Sequence, residues 1–441
     1  MLASGGGIAE VHQHGPEQFD VLIDHGTVQE PLAQGYARGC REAPVFITLP
    51  WQMFFPASCP AQAKDFLYRF HQDEQGKRLT KKQDTTLSVV GHATIRPEGP
   101  GLACLAELLV ELVRKLQAIH QKQLATLDVD ATIIAAHKQT ALKAYEGTVG
   151  YQPQLAYWAE QGVFVVDQFR DGNVNAEYKI KEFFERAFAV LPGSVTRRRL
   201  RGDSALYNED ALTWCDDFGI EFAVSADMTQ PLRHSCRAIP EHAWHTYTTV
   251  RGTRVEDLTE ERQWAEVVDF IPGWQRNRSK HGQAFRYLAI RVCPRQRGLF
   301  LADQEQWRTF AVVTNMDWDG ERLLRWQREK QGTVEHGHDI LKNELAAGTI
   351  PCGIFGSNAA WFRLNVIVHA LDTFLKVTTL PKELATAKPK RLRFLFYTIA
   401  GLVVRHARSI VLQLEANLPS SHWIANARHA LLELAPRLAM T

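Results

Sequence analysis

Between residues 124 and 227 the hydrophobic pattern switches repeatedly between a period of two and a period near 3.6. In "ATLDVDATII" (125–134), Leu127, Val129, Ala131 and Ile133 alternate with Thr126, Asp128, Asp130 and Thr132. That alternation predicts a strand with four polar residues on one face. Aspartate is depleted from strands. Asp128 and Asp130 therefore mark either the solvated face of an edge strand or carboxylates built into a rigid one. Next, "LAYWAEQGVFVVDQF" (155–169) predicts a hairpin turning at Glu-Gln-Gly. A helix over 175–192 ends at a proline, a strand follows over 195–203, and a helix over 208–218 is closed by Gly219. A strand over 220–227 completes the run. Three strands, helix, strand, helix, strand predicts a mixed sheet flanked by helices.

The flanking regions read differently. Upstream, 60–74 predicts a short amphipathic helix, and 103–123 a longer one with a continuous apolar stripe at 105, 108, 109, 112, 116 and 119. Residues 1–60 show no sustained periodicity. Residues 228–320 are strand-like and rich in Trp and Arg, which predicts a β-rich insertion. A long helix is expected over about 321–345, and the remainder to 441 reads as mostly helical, with basic segments "KPKRLRFLF" and "VVRHARS". The expected organisation is an N-terminal, partly helical region (1–123), the first part of a catalytic domain (124–227), the insertion (228–320), the last part of the domain (321–376) and a C-terminal helical region (377–441).

Composition narrows the field modestly. The chain has 441 residues, 45% hydrophobic and 23% charged, which exceeds what one core usually supports. A net charge of +2 means that any nucleic-acid role rests on local basic patches. Seven scattered cysteines with no C-x-x-C argue against a zinc ribbon or a disulfide scaffold and fit a reducing cytosol. The apolar run at 394–404 is too short to span a bilayer, so a soluble, cytoplasmic protein is expected. No P-loop motif is present. His336 and His338 lie two apart, which puts them on different helix faces and argues against a zinc site.

Two further carboxylates stand out. Asp203 follows Gly202 at the C-terminal end of the strand in "RRRLRGD", the end at which α/β sheets place their sites. On the 321–345 helix, Glu335 and Lys342 share a face. A turn aspartate and a solvated helix face of mixed charge would explain these two as well.

In this order and on these elements, the motifs resemble the DDE transposases of bacterial insertion sequences, in the ribonuclease H-like and retroviral-integrase superfamily. The match is to the cut-and-paste class, whose β-rich insertion separates the second Asp from the Glu. Asp130-Ala131-Thr132 matches an Asp-x-Thr context, Arg201-Gly202-Asp203 the second motif, Thr314-Asn315 the end of the insertion, and Glu335-x6-Lys342 the second half of Tyr-x2-Arg-x3-Glu-x6-Lys. The Tyr position holds Arg328 and the Arg position Gln331, so neighbouring Arg325 or Lys330 would supply the missing grip on phosphate.

The resemblance implies a ribonuclease H-like mixed sheet interrupted by an insertion, with helical N- and C-terminal regions. It further implies two Mg²⁺ (or Mn²⁺) ions on Asp130, Asp203 and Glu335, with Asp128 the alternate first ligand. Phosphodiester cleavage charges the attacking and leaving oxygens together, and two such ions stabilise both. Expected partners are double-stranded DNA, as terminal inverted repeats and target, and a second copy of the chain. Lys342, Arg328, Trp274, Arg276 and Arg278 are the expected DNA contacts, Trp274 by stacking as Trp264, Trp307 and Trp318 also could. A nuclease without strand transfer and a domesticated, inactive DNA-binding protein are the competing readings.

Overall fold

The computed structural model describes residues 11–14, 18–24, 60–70, 95–138, 141–248, 260–278, 284–294, 307–399, 401–406, 409–415 and 419–439. The chain forms two units, Met1–Arg69 with Leu371–Thr441, and Phe70–Ala370.

The first unit opens with strands β1 (Val11–His14) and β2 (Gln18–Asp24) and helix α1 (Pro60–Arg69). Its remaining strands come from the far end of the chain and are described below.

The second unit is built on one nine-stranded sheet. In chain order its elements begin with α2 (Pro100–Ile119) and β3 (Leu124–Ala131). A small separate sheet follows, made of β4 (Ile134–Ala135), β5 (Leu142–Lys143) and β6 (Val149–Tyr151). The hairpin β7 (Gln154–Trp158) and β8 (Val163–Gln168), helix α3 (Ile180–Ala189), β9 (Arg197–Gly202), α4 (Glu209–Asp217) and β10 (Glu221–Ser225) follow in the expected order. Asn208 caps α4, accepting from the Ala211 N–H at 3.1 Å, and Gly219 leaves the helix at φ +65°, where a Cβ would be strained.

Next come α5 (Gln230–Arg237), β11 (His245–Thr246), β12 (Glu260–Glu266), α6 (Gly273–Arg278), β13 (Arg286–Pro294) and β14 (Arg308–Thr314). The sheet order is β11-β12-β13-β14-β10-β9-β3-β7-β8. β3 runs parallel to β9, which runs parallel to β10, while β7, β8 and β11 through β14 pair antiparallel. This is the expected mixed sheet, and the strands of 228–320 extend it through β14. Thr314 and Asn315 fasten that junction. The Thr314 hydroxyl donates to the Phe222 carbonyl (2.6 Å), and the Asn315 side chain accepts from the Phe222 N–H (2.9 Å).

β3 is central, so its polar face is no solvated edge. Thr126 and Asp128 are fully buried. That face meets the junction of α7 (Gly320–Arg328) and α8 (Val334–Asp339), α8 packing on β3 and β7, and α7 on β10 and β12.

Two expectations are corrected. The helix expected over 321–345 is broken: α7 gives way to a 3-10 turn (Glu329–Gly332), α8 begins after Thr333 (φ −112°, ψ −85°), and a π-helical turn (Ile340–Glu344) follows. Gly332 is a weak helix former, and the Thr333 hydroxyl donates to Asp128. The mostly helical C-terminal region also contains strands. After α9 (Phe355–Thr378), β15 (Gly401–His406) and β16 (Ser409–Glu415) form a hairpin, and β16 pairs with β2 in a sheet ordered β1-β2-β16-β15. "SIVLQLE" alternates with β-branched residues, a strand pattern. The chain ends its described part with a helix, Pro419–Ala439. Among the described residues no helix is long and apolar enough to cross a membrane.

Candidate active site

Because β3 and β9 are parallel, their C-terminal ends lie side by side, and the ends carry Asp130 and Asp203. Gly202 permits the turn between β9 and the 3-10 helix Ser204–Leu206. A Cβ there would come within 1.9 Å of the Leu206 side chain.

Each aspartate has one oxygen fixed by backbone. The Ala131 N–H donates to Asp130 Oδ1 (3.0 Å), and the Ala205 N–H to Asp203 Oδ1 (3.1 Å). The other oxygens converge on one cation: Lys330 Nζ stands 3.6 Å from Asp130 Oδ2 and 3.6 Å from Asp203 Oδ2. Lys330 is buried, on the 3-10 turn between α7 and α8.

Burial pushes the Asp130 carboxyl up to about 6, the Lys330 ammonium opposes that, and the negative charges of Asp203 and Glu335 add to it. Three carboxylates therefore share one field. Glu335 lies in the first turn of α8 and lines, with Asp130 and Asp203, a cavity of about 670 Å³. Arg328, Gln331, Arg262 and Arg308 also line it. A second cavity of about 650 Å³ meets the first at Asp130, Asp203, Ser204 and Asp227. The acidic pair thus lies where two open clefts join.

Gly337 sets the depth of α8. A Cβ there would come within 2.7 Å of the Phe164 ring, which is fully buried. His338 stacks on the same ring (centroids 6.2 Å apart, planes 2° apart), with Nδ1 3.9 Å from Asp130 Oδ2. Burial, with Lys342 and Lys330 nearby, pushes its pKa down to about 3, so it is neutral.

Asp128 has a different setting. Arg201 donates to both of its oxygens (Nε to Oδ1 2.6 Å, Nη2 to Oδ2 2.9 Å), and Thr333 donates to it as well. Asp128 lines neither cavity. The residues that also lay in the sequence reading are dispersed. Arg325 is bound to Thr248 and Glu321 and so is unavailable as a substitute cation, whereas Lys330 faces the aspartates. Lys342 follows the break, on the π turn, and is not among the residues lining either cavity. Trp274 packs its ring against Tyr207 and Phe285 (centroids 6.4 and 5.9 Å) and lines neither cavity. The reason is local: α6 is under two turns long and set down on an aromatic cluster. Arg276 and Arg278 lie on α6, and their side chains fall outside the described residues. Trp264, Trp318 and Trp326 pack around the core under α7, and Trp307 lies against the Arg291 guanidinium (4.5 Å).

Among the described residues no three acidic, His or Cys side chains converge closely enough to hold a metal ion as the chain stands. The donor chemistry nonetheless fits a hard dication. Two carboxylate oxygens already face one positive charge, and a third carboxylate opens on the same cavity.

The family model "Transposase DDE domain group 1" matches residues 76–436. No curated protein matches the chain. Among solved structures, it is similar to piggyBac transposase in the cryo-EM structure of its synaptic complex with hairpin DNA. Sequence identity there is 11%, the TM-score is 0.34, and the match covers 57% of this chain. The chain spans about half (46%) of the length of that piggyBac chain. The extent of the family match, over most of the sequence, places the chain in the DDE transposase domain family, group 1.

Proposed function

We propose that this protein is a DNA transposase that cleaves the ends of its own element and joins the freed 3′ hydroxyls to target DNA, acting in the cytoplasm as a dimer on paired ends. The observation that carries this reading is the convergence of Asp130 Oδ2 and Asp203 Oδ2 on one positive charge, with Glu335 on the wall of the same cavity.

In this reading Asp130, Asp203 and Glu335 hold two Mg²⁺ or Mn²⁺ ions, and all three offer the hard oxygen such ions prefer. Bound there, the ions would stabilise charge on the attacking and leaving oxygens and lower the pKa of the attacking water. The chain's own residues prepare that step. The backbone N–H groups of Ala131 and Ala205 fix the two aspartates so that their free oxygens face inward. Gly337 lets α8 press against Phe164, which brings Glu335 toward the strand ends. Arg328, lining the cavity, aligns the backbone of the DNA by its charge.

The test is cleavage of duplexes carrying the inverted repeats that flank the coding sequence. Asp130→Asn, Asp203→Asn and Glu335→Gln each abolish cleavage and leave DNA binding largely intact. Normal cleavage by all three variants would sink the reading. Release of 3′ ends that are never joined to target would replace it with a nuclease.

A further inference from the structure

Resting on the reading of Asp130 and Asp203 as metal ligands, we propose that Lys330 is a built-in counter-ion that holds the metal position in the DNA-free chain and yields it when a DNA phosphate draws the ammonium away. Metal and DNA are then taken up together. In this role Lys330 is a positioning residue that controls when the carboxylates become available.

Four observations support this. First, the ammonium is equidistant, at 3.6 Å, from the two oxygens that no backbone group holds, and the other oxygen of each aspartate is already committed to an N–H. A dication held by these two carboxylates would compete for that volume and would meet a like charge at close range. Second, Lys330 is buried, so it is held among the carboxylates rather than trailing in solvent. Third, it sits on a short 3-10 turn between two helices, ahead of Gly332 and of Thr333 with its irregular backbone. A lysine ammonium on its four-carbon stem can swing from such a turn without moving α7 or α8. Fourth, Arg328 and Gln331 flank it on the same cavity wall, so a phosphate entering beside Arg328 would lie within the reach of a lysine. Gln331 carries no charge, which leaves Lys330 as the cation of the turn at that wall.

By linkage, if DNA removes the ammonium from the carboxylates, DNA tightens metal binding and metal tightens DNA binding by the same factor. A lysine that served only to neutralise the aspartates would show no such coupling.

The test measures Mn²⁺ affinity of the full chain by titration calorimetry, alone and with saturating duplex carrying the element's terminal sequence. Wild type binds Mn²⁺ weakly alone and about tenfold or more tightly with DNA, a typical size for coupling between sites. Lys330→Met binds Mn²⁺ alone as tightly as wild type does with DNA, and adding DNA changes its affinity little. Lys330→Gln behaves like Lys330→Met and serves if the methionine variant folds poorly. Lys330→Arg, which keeps the charge, shows no gain. Equal Mn²⁺ affinity of wild type and both neutral variants in the absence of DNA would overturn the proposal while leaving the carboxylates as ligands. If Asp203→Asn added to Lys330→Met leaves Mn²⁺ binding unchanged, the ion binds elsewhere, and the metal reading of the carboxylates falls together with the proposal.

Discussion

Arg201 clasps Asp128 through two parallel hydrogen bonds, and in doing so separates the tasks of two aspartates that share one strand face. The same guanidinium donates to the Trp326 carbonyl (2.6 Å) and to Glu329 (3.1 Å), and Thr333 completes the shell around Asp128. The network ties β3 and β9 to the end of α7 and the start of α8. Removing one partner of a buried ion pair strands the other, at a cost of roughly 3–5 kcal/mol. Asp128→Ala should therefore lower unfolding free energy by about that amount in urea titrations, and lose activity as a consequence. Asp130→Asn should abolish cleavage with little loss of stability. Full stability of Asp128→Ala would remove the structural role argued for it.

Gly337 offers a steric test of how Glu335 is positioned. Gly337→Val forces a branched side chain against Phe164, and overpacking of this kind costs about 1–3 kcal/mol. Cleavage should fall further than stability does, because α8 must move outward from the strand ends. Unchanged cleavage would mean that the depth of α8 does not matter to the reaction.

Arg328 and Gln331 line the cavity, and they stand at the positions that the sequence resemblance aligns with Tyr and Arg. Arg328→Ala should weaken binding to element ends and unrelated DNA alike, and lower the salt slope of log K by roughly 1, as loss of one phosphate contact does. Gln331→Arg should be neutral or tighten binding. Fluorescence titrations at several salt concentrations decide both, and an unchanged slope for Arg328→Ala would take this wall away from the DNA.

Away from the site, Arg363 on α9 bridges Glu98 (2.8 and 2.7 Å) and Asp167 (2.9 Å), and it donates to the Leu102 carbonyl (2.7 Å). Burial would raise the Glu98 pKa, but the Arg363 hydrogen bonds and charge outweigh it and hold the carboxyl below its ordinary 4.5. A depressed carboxylate pKa contributes stability above the unfolded value, and the contribution is lost as pH falls through the folded one. Wild type should therefore lose stability faster than Glu98→Gln once the pH drops below 4.5, with the two curves parallel near neutrality. Parallel curves throughout would show that Glu98 is not held by Arg363 in solution.

Trp274→Ala should behave as a packing change. Its ring fills space between Tyr207 and Phe285. Truncating a fully buried Trp costs about 3–5 kcal/mol, and this half-buried one should cost less, with cleavage per folded molecule retained. Loss of cleavage at unchanged stability would return Trp274 to the DNA.

The succession of strands and helices along 124–227 and the placement of Asp130 and Asp203 on them were legible in the sequence, because period-two runs and a Gly-Asp at a strand end are local signals. The partner of Asp128 was not. Arg201 is one of several arginines in "RRRLRGD", and only the parallel register that sets Asp128 beside Arg201 selects it. Lys330 was visible as a neighbouring cation, but its aim toward the aspartates follows from the broken helix. An unbroken helix would have carried Arg328, Gln331, Glu335 and Lys342 along one face; across the break the first three still line one cavity, and the π-helical turn Ile340–Glu344 takes Lys342 out of that register. The strands at 401–415 were hidden by their apolar run, and their pairing with residues 18–24 spans nearly the whole chain.

The pairing of β10 with β14 carries a consequence for synthesis. Until residues 308–314 have left the ribosome, β10 stands as a bare edge beside β9, its backbone groups open to any other strand. The loop to be closed is long, and non-local pairing of this kind is slow. The acidic cleft is thus assembled late, after the entire Trp-rich stretch has been translated. A message cut short before that point yields a sticky half-sheet bearing Asp130 and Asp203. Such a fragment also ends before Glu335, and its open β10 edge exposes it to aggregation.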